Sequence, residues 1–119
     1  MLRRRVLLID DNPESLAVTA VLIRKLGHEV EIASGTTAAL MAARRFAPHV
    51  IFIDLAMPEA DGVALTRELK ADPAAGTSRI YMLTGHSDGR ARVRAYEAGC
   101  AGYFVKPLDP AALESLLGR

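Results

Sequence analysis

Residues 6–12 read VLLIDDN, and this stretch decides the fold. Four apolar residues run without a break and end on two carboxylates, Asp10 and Asp11. A short continuous apolar run is typical of a strand buried on both faces of a parallel sheet. Comparable runs, VIFI, IYML and YFV, occupy residues 50–53, 80–83 and 103–105. The chain therefore reads as an α/β protein with several buried parallel strands.

A polar side chain follows each of these runs. The set comprises Asp10, Asp11, Asp54, Thr84 and Lys106. Ligands of open α/β sheets bind just outside the carboxyl ends of the strands, so these side chains are expected to converge at one edge. Three carboxylates, a hydroxyl and an ammonium at one edge favour a site for a divalent cation and a phosphoryl group.

Helical segments separate the strands. Residues 29–33 alternate polar and apolar side chains, as an edge strand does. Caps, glycines and prolines predict five helices: 13–26, from 34–37 to about 45, 62–71, from 85–88 to about 98, and a short one starting at 109–110. Five strands alternating with five helices predict a doubly wound parallel sheet with helices on both faces.

Composition narrows the functional classes. A chain of 119 residues predicts one domain over residues 1–119. The net charge of +1 predicts no nucleic-acid or membrane partner, and no apolar stretch reaches the roughly 20 residues of a membrane span. The single cysteine, Cys100, fits a reducing, cytoplasmic compartment. The basic residues 3–5 are interpreted as a solvated strand entrance.

Taken singly, each polar residue has a plainer interpretation. Asp10 or Asp11 could simply cap the helix that follows, and Thr84 could do the same after its own strand. Lys106 could be a surface lysine at a strand end. The convergence of several such residues on one edge, rather than any one of them, favours the site.

Four motifs together resemble the receiver (response-regulator) domains of bacterial two-component signalling. They are LIDDN at 8–12, DLAMP at 54–58 followed by DG at 61–62, LTG at 83–85, and YFVKP at 103–107. The resemblance covers essentially the whole chain and implies a flavodoxin-like sheet with strand order 2-1-3-4-5. It implies that Asp54 accepts a phosphoryl group from a phosphohistidine of a partner histidine kinase or histidine phosphotransfer protein.

The same resemblance assigns the other site residues. It implies a Mg²⁺ ion, with Mn²⁺ as an alternative, held by Asp10, Asp11, Asp54 and the backbone carbonyl of Ala56. Lys106 and Thr84 would take the phosphoryl oxygens. Tyr103, three positions before the lysine, resembles the family's switching aromatic and would respond to Thr84.

Two positions are candidates for setting the lifetime of the phosphorylated form. Ala56 and His86 lie two residues beyond Asp54 and Thr84, where receiver side chains flank the attacking water. Ala56 has no polar group to orient that water, whereas His86 could donate or accept a hydrogen bond. Equal decay rates in wild type and His86→Ala would leave His86 as an ordinary loop histidine.

The first helix carries more apolar residues than a single core-facing stripe needs. A periodicity of about 100° per residue places Leu16, Thr19, Ala20, Ile23 and Leu26 on that stripe. Val18, Val21 and Leu22 fall outside it. The resemblance makes these three residues and Pro107 candidates for docking the phosphodonor, although a broadly buried helix would explain them equally well.

The predicted function is a phosphorylation-dependent signalling switch. Such a protein is no enzyme in the usual sense, since it catalyses only its own phosphorylation and dephosphorylation. The alternative is a pseudo-receiver that acts only as a protein-binding module. A dehalogenase-type phosphatase would need an aspartate two residues after its nucleophile, where Ala56 stands after Asp54. A flavodoxin-like cofactor binder would want a phosphate-cradling loop after the first strand, where Asp10 and Asp11 would repel phosphate without a metal. Whether the chain stands alone or is excised from a longer kinase or regulator stays open.

Overall fold

The computed structural model describes residues 3–10, 16–54, 59–85, 89–106 and 108–118, without the side chains of 59–61. Five strands alternate with five helices, in the order β1 (Arg5–Asp10), α1 (Ala17–Lys25), β2 (Glu29–Ser34), α2 (Thr36–Phe46), β3 (Val50–Asp54), α3 (Glu59–Ala71), β4 (Arg79–Thr84), α4 (Gly89–Ala98), β5 (Gly102–Val105) and α5 (Pro110–Leu117). The strands form one parallel sheet in the order β2-β1-β3-β4-β5. The predicted fold class and strand order are confirmed.

The helices cover both faces of the sheet, as predicted. Alternate residues of β1 divide between two cores: Val6 and Leu8 pack with α1 and α5, whereas Leu7 and Ile9 pack with α2, α3 and α4. Because successive strand side chains point to opposite faces, this alternation also tells which face each strand-end side chain occupies.

Two details differ from the sequence expectation, and a third is not described. Helix α3 begins at Glu59 rather than at residue 62, so Gly62 lies within the helix, where its carbonyl accepts a hydrogen bond from the Thr66 hydroxyl. A glycine inside a helix costs only about 1 kcal/mol, which burial of the helix face outweighs. The expected burial of β5 on both faces is wrong at Val105, which is 42% exposed because β5 is an edge strand. The predicted start of the first helix lies outside the described residues.

The arginines at the start of β1, Arg4 and Arg5, do more than line a solvated entrance. Arg5 Nε donates to the carbonyls of Phe46 and Ala47 at the end of α2, and Arg4 Nε donates to the Leu117 carbonyl at the end of α5. The last carbonyls of a helix lack partners within the helix, and cations near them are favourable. The expectation therefore holds only for the exposed Arg3.

Candidate functional site

Two buried carboxylates lie side by side where β1 and β3 end. The strands pair in register up to Ile9 and Ile53, so Asp10 and Asp54 are neighbours at the next position, with backbones about 4.8 Å apart. Asp10 is 0% and Asp54 1% exposed. Both follow residues of the α2–α4 face, so both side chains belong to the α1/α5 face. This pair forms the acidic centre of the predicted site.

Lys106 brings a positive charge to this pair from the sheet edge. It directly follows β5, two strands away from β3 and therefore about 9–10 Å distant. Its long side chain crosses the end of β4, and Nζ donates to Asp54 Oδ1 at 2.6 Å. The lysine side chain is 33% exposed and that of Asp54 2%. A buried carboxylate is costly without a partner, and this ion pair supplies one while leaving a route to solvent.

Thr84 and Tyr103 lie on the opposite face of the same edge. Thr84 ends β4, and Tyr103 pairs with Met82, two residues before the threonine on the same face. Each is 5% exposed, so the Tyr103 ring is already turned inward in this structure. The structure thus brings together Asp10, Asp54, Lys106, Thr84 and Tyr103, five of the predicted residues, around one edge of the sheet.

The remaining predicted residues are only partly described. Asp11, Ala56, His86 and Pro107 lie outside the described residues. Val18 and Val21 on α1 are 72% and 48% exposed. Leu22 is half-buried against the α1/α5 core, so it is less separate from the core-facing stripe than the periodicity indicated. Leu16, Ala20 and Ile23, by contrast, are buried as predicted.

A cleft connects the acidic centre with helix α1. Its volume is about 530 Å³. Asp54 and Lys106 form its polar end, and its apolar wall consists of Val18, Leu22, Leu83 and Leu108, with Thr19 and Pro110 alongside. Leu108 and Pro110 were not predicted as site residues, because the sequence around them indicates only the start of a helix. The cleft therefore leads from Asp54 along the surface of α1.

The donor chemistry at this edge fits a hard divalent cation. Asp10 and Asp54 offer carboxylate oxygens, and magnesium is bound in proteins through one or two carboxylates while keeping several waters. Within the described ranges no group of three or more His, Cys, Asp or Glu side chains could hold a metal. The third carboxylate and the carbonyl of the predicted set belong to Asp11 and Ala56, outside those ranges.

Comparison with known proteins identifies the family. A family model described as the response regulator receiver domain matches residues 6–117. The chain belongs to this family. As a receiver domain of a response regulator, it is a component of two-component signalling. The domains of this family bind a divalent metal at the active site and are signalling switches phosphorylated by histidine kinases.

Curated relatives of this receiver domain are longer proteins. The chain is 35% identical over 104 residues to a gliding motility regulatory protein of Myxococcus xanthus, covering 87% of the chain and 13% of the relative. It is 30% identical over 112 residues to the DNA-binding response regulator MtrA of Mycolicibacterium smegmatis, covering 94% and 48%. The chain therefore spans about half the length of these relatives, or less.

Solved receiver structures superpose along nearly the full chain. The chemotaxis response regulator CheY4 of Vibrio cholerae matches with a TM-score of 0.85 at 26% identity, covering 98% of this chain and 97% of that one. The receiver domain of the sensor histidine kinase PA1611 of Pseudomonas aeruginosa was solved with magnesium coordinated in its active-site cleft. It matches with a TM-score of 0.83 at 29% identity, covering 98% of this chain and 95% of that one.

Among the described helices, none combines the length and apolarity needed to cross a membrane.

Proposed function

We propose that residues 1–119 act as a single receiver domain in which Asp54 is the phosphoryl acceptor. The observation that carries this proposal is the contact of Lys106 Nζ with Asp54 Oδ1 at 2.6 Å, beside the buried Asp10. For an exposed surface carboxylate, such an ion pair would add little to the stability of the fold. A carboxylate that must take up a phosphoryl group of charge about −2 next to another acid needs a fixed cation within reach.

The reaction that this arrangement supports is an in-line transfer. An Asp54 carboxylate oxygen attacks phosphorus, and the new O–P bond forms as the P–N bond to the donor imidazole breaks. The bonding electron pair stays with the imidazole nitrogen. Lys106 would move its hydrogen bond from the carboxylate to a phosphoryl oxygen, and the Thr84 hydroxyl would donate to another.

The metal would occupy the acidic side of Asp54. Asp10 and Asp54 would hold it together with Asp11 and the carbonyl of Ala56. When bound, Mg²⁺ or Mn²⁺ would orient the phosphoryl group and offset charge on its oxygens. The proposed roles of Ala56 and His86 in dephosphorylation stay predictions, as both residues lie outside the described ranges.

The donor would be a histidine kinase or a histidine phosphotransfer protein that docks on the cleft side. The exposed Val18 lies in the apolar wall that leads to Asp54, and the exposed Val21 follows it by three residues on α1, so a partner helix seated there would face the carboxylate. We propose that residues 1–119 make no direct contact with nucleic acid. MtrA is named as a DNA-binding regulator, but this chain aligns with about half of it.

The test is phosphate uptake by Asp54→Asn from a small phosphodonor in the presence of Mg²⁺. We expect labelling of wild type and none of the variant in a phosphate-affinity gel and by intact mass. Asp72→Asn is the matched control, because it removes a carboxylate from the loop between α3 and β4, at the opposite end of the strands from the site. This variant should be labelled like wild type. Undiminished labelling of Asp54→Asn would refute the assignment, and unlabelled wild type would favour the pseudo-receiver.

A further inference from the structure

The buried ring of Tyr103 is covered by a cation from a neighbouring helix. The Arg92 guanidinium carbon lies over the ring, 5.6 Å from its centroid. This distance is within the roughly 6 Å at which a cation interacts with an aromatic face. Arg92 lies on α4 and is itself exposed, so the contact joins the solvent side of α4 to a side chain of the sheet edge.

Helix α4 is shaped to leave room for this ring. Its sheet-facing residues Ala91, Ala95 and Ala98 are buried in the same core as Tyr103. Because alanine side chains end at Cβ, the helix leaves space between itself and β5 that an aromatic ring can fill. Arg92 lies one residue beyond this alanine row and covers the ring from the outside. To turn outward, the ring would have to give up the contact with the guanidinium.

We propose that Arg92 is a positioning residue that holds Tyr103 in its inward orientation before any phosphoryl group is present. Movement of Thr84 toward Asp54 would vacate the space that the inward ring fills, so holding the ring inward would favour the state that takes up the phosphoryl group. This second step rests on the proposed function of Asp54, whereas the first step does not. A ligand that binds only one of two conformations has a lower apparent affinity when that conformation is less populated. Loss of the Arg92 contact would therefore weaken the binding of a phosphoryl mimic.

The orientation of the ring is tested in the whole chain labelled with 3-fluorotyrosine. The chain has three tyrosines, so Tyr103→Phe identifies the resonance. We expect the wild-type resonance to be protected from a soluble paramagnetic agent and clearly less protected in Arg92→Gln. Arg92→Lys keeps a cation and should be intermediate. Arg67→Gln on α3 removes the same charge and should match wild type. A Tyr103 resonance equally protected in Arg92→Gln would overturn the proposal.

The effect on the site is tested with beryllofluoride and Mg²⁺, a stable mimic of the acyl phosphate. The strength of an exposed cation–π contact corresponds to a population shift of about two- to fivefold. We expect the apparent dissociation constant for beryllofluoride to rise in Arg92→Gln, by at most that factor because the inward state is already populated in wild type, and to stay unchanged in Arg67→Gln. An unchanged constant together with an exposed ring would overturn the coupling to the site. Wild type that binds no beryllofluoride would refute the function of Asp54, while the fluorine measurement would still decide the role of Arg92.

Discussion

Removing the ammonium of Lys106 should destabilise the fold, because two buried carboxylates would lose their nearby cation. In Lys106→Met the side-chain length is retained and the charge is lost, leaving Asp54, with a 2% exposed side chain, beside Asp10. Breaking a buried ion pair from one side costs about 3–5 kcal/mol, whereas an exposed pair is worth about 0–1 kcal/mol. Because the lysine side chain is 33% exposed, we expect an intermediate loss of about 2 kcal/mol.

The assay is urea unfolding in the presence of a chelator, followed by circular dichroism. With a slope of about 2 kcal/mol per molar urea, the midpoint should fall by about 1 M. Asp54→Asn should cost far less, since it removes one of two neighbouring carboxylates. The double variant should therefore be more stable than Lys106→Met alone, because it no longer buries the Asp54 charge without its cation, and the two effects should not be additive. A Lys106→Met midpoint equal to that of wild type, or strictly additive effects, would refute the reasoning.

Three further predictions concern docking, packing and pH. Val21→Glu should slow phosphotransfer from a partner protein, because it places a charge on the exposed apolar surface of α1, three residues from Val18 in the cleft wall; labelling by a small phosphodonor should not change, and slowing of both reactions would contradict a docking role. Gly102→Ala should lower the free energy of unfolding by about 1–3 kcal/mol, since a Cβ there would lie 2.7 Å from Tyr81 Cδ1; a wild-type urea midpoint would contradict it. Burial and the nearby Arg5 lower the pKa of His49 below its ordinary value of 6.5. The unfolded chain then binds more protons, so this contribution to stability is present above pH 6.5 and is lost as the pH falls toward the native pKa. Midpoints at two pH values should show a smaller pH dependence in His49→Gln.

The strands and their polar ends were predictable because burial on two faces leaves a strong signal. Val50 to Ile53 are all completely buried, and a run of four apolar residues has no other simple explanation once Asp54 follows it. The edge position of β2 was also predictable, because its alternating residues have one face toward water. The order of the strands came only with the family resemblance, since short parallel strands carry no register signal of their own.

Contacts between elements distant in sequence could not be predicted in this way. The contact of Arg92 with Tyr103 depends on how α4 packs over β5, and the arginines of α4 at 90, 92 and 94 spread around the helix without marking a single face. The same holds for Arg4 and Arg5, whose helix-end partners come from α5 and α2. Such contacts follow from the assembled geometry, whereas apolar periodicity reports only which side of an element is buried.

Lys106 is the residue through which chemistry on one face of the sheet can reach the other. Its Nζ is bonded to Asp54 on the α1/α5 face, and its backbone N–H donates to the Thr84 carbonyl at 2.6 Å. Thr84 and Tyr103, the proposed switch residues, belong to the α2–α4 face. A change in the hydrogen-bond partner of Nζ therefore acts on Lys106, whose backbone is hydrogen-bonded to Thr84. We therefore expect Lys106→Met to weaken the response of the Tyr103 fluorine resonance to beryllofluoride more than it weakens beryllofluoride binding itself. If Lys106 served only as a counter-charge, its substitution would weaken beryllofluoride binding and the fluorine response in proportion.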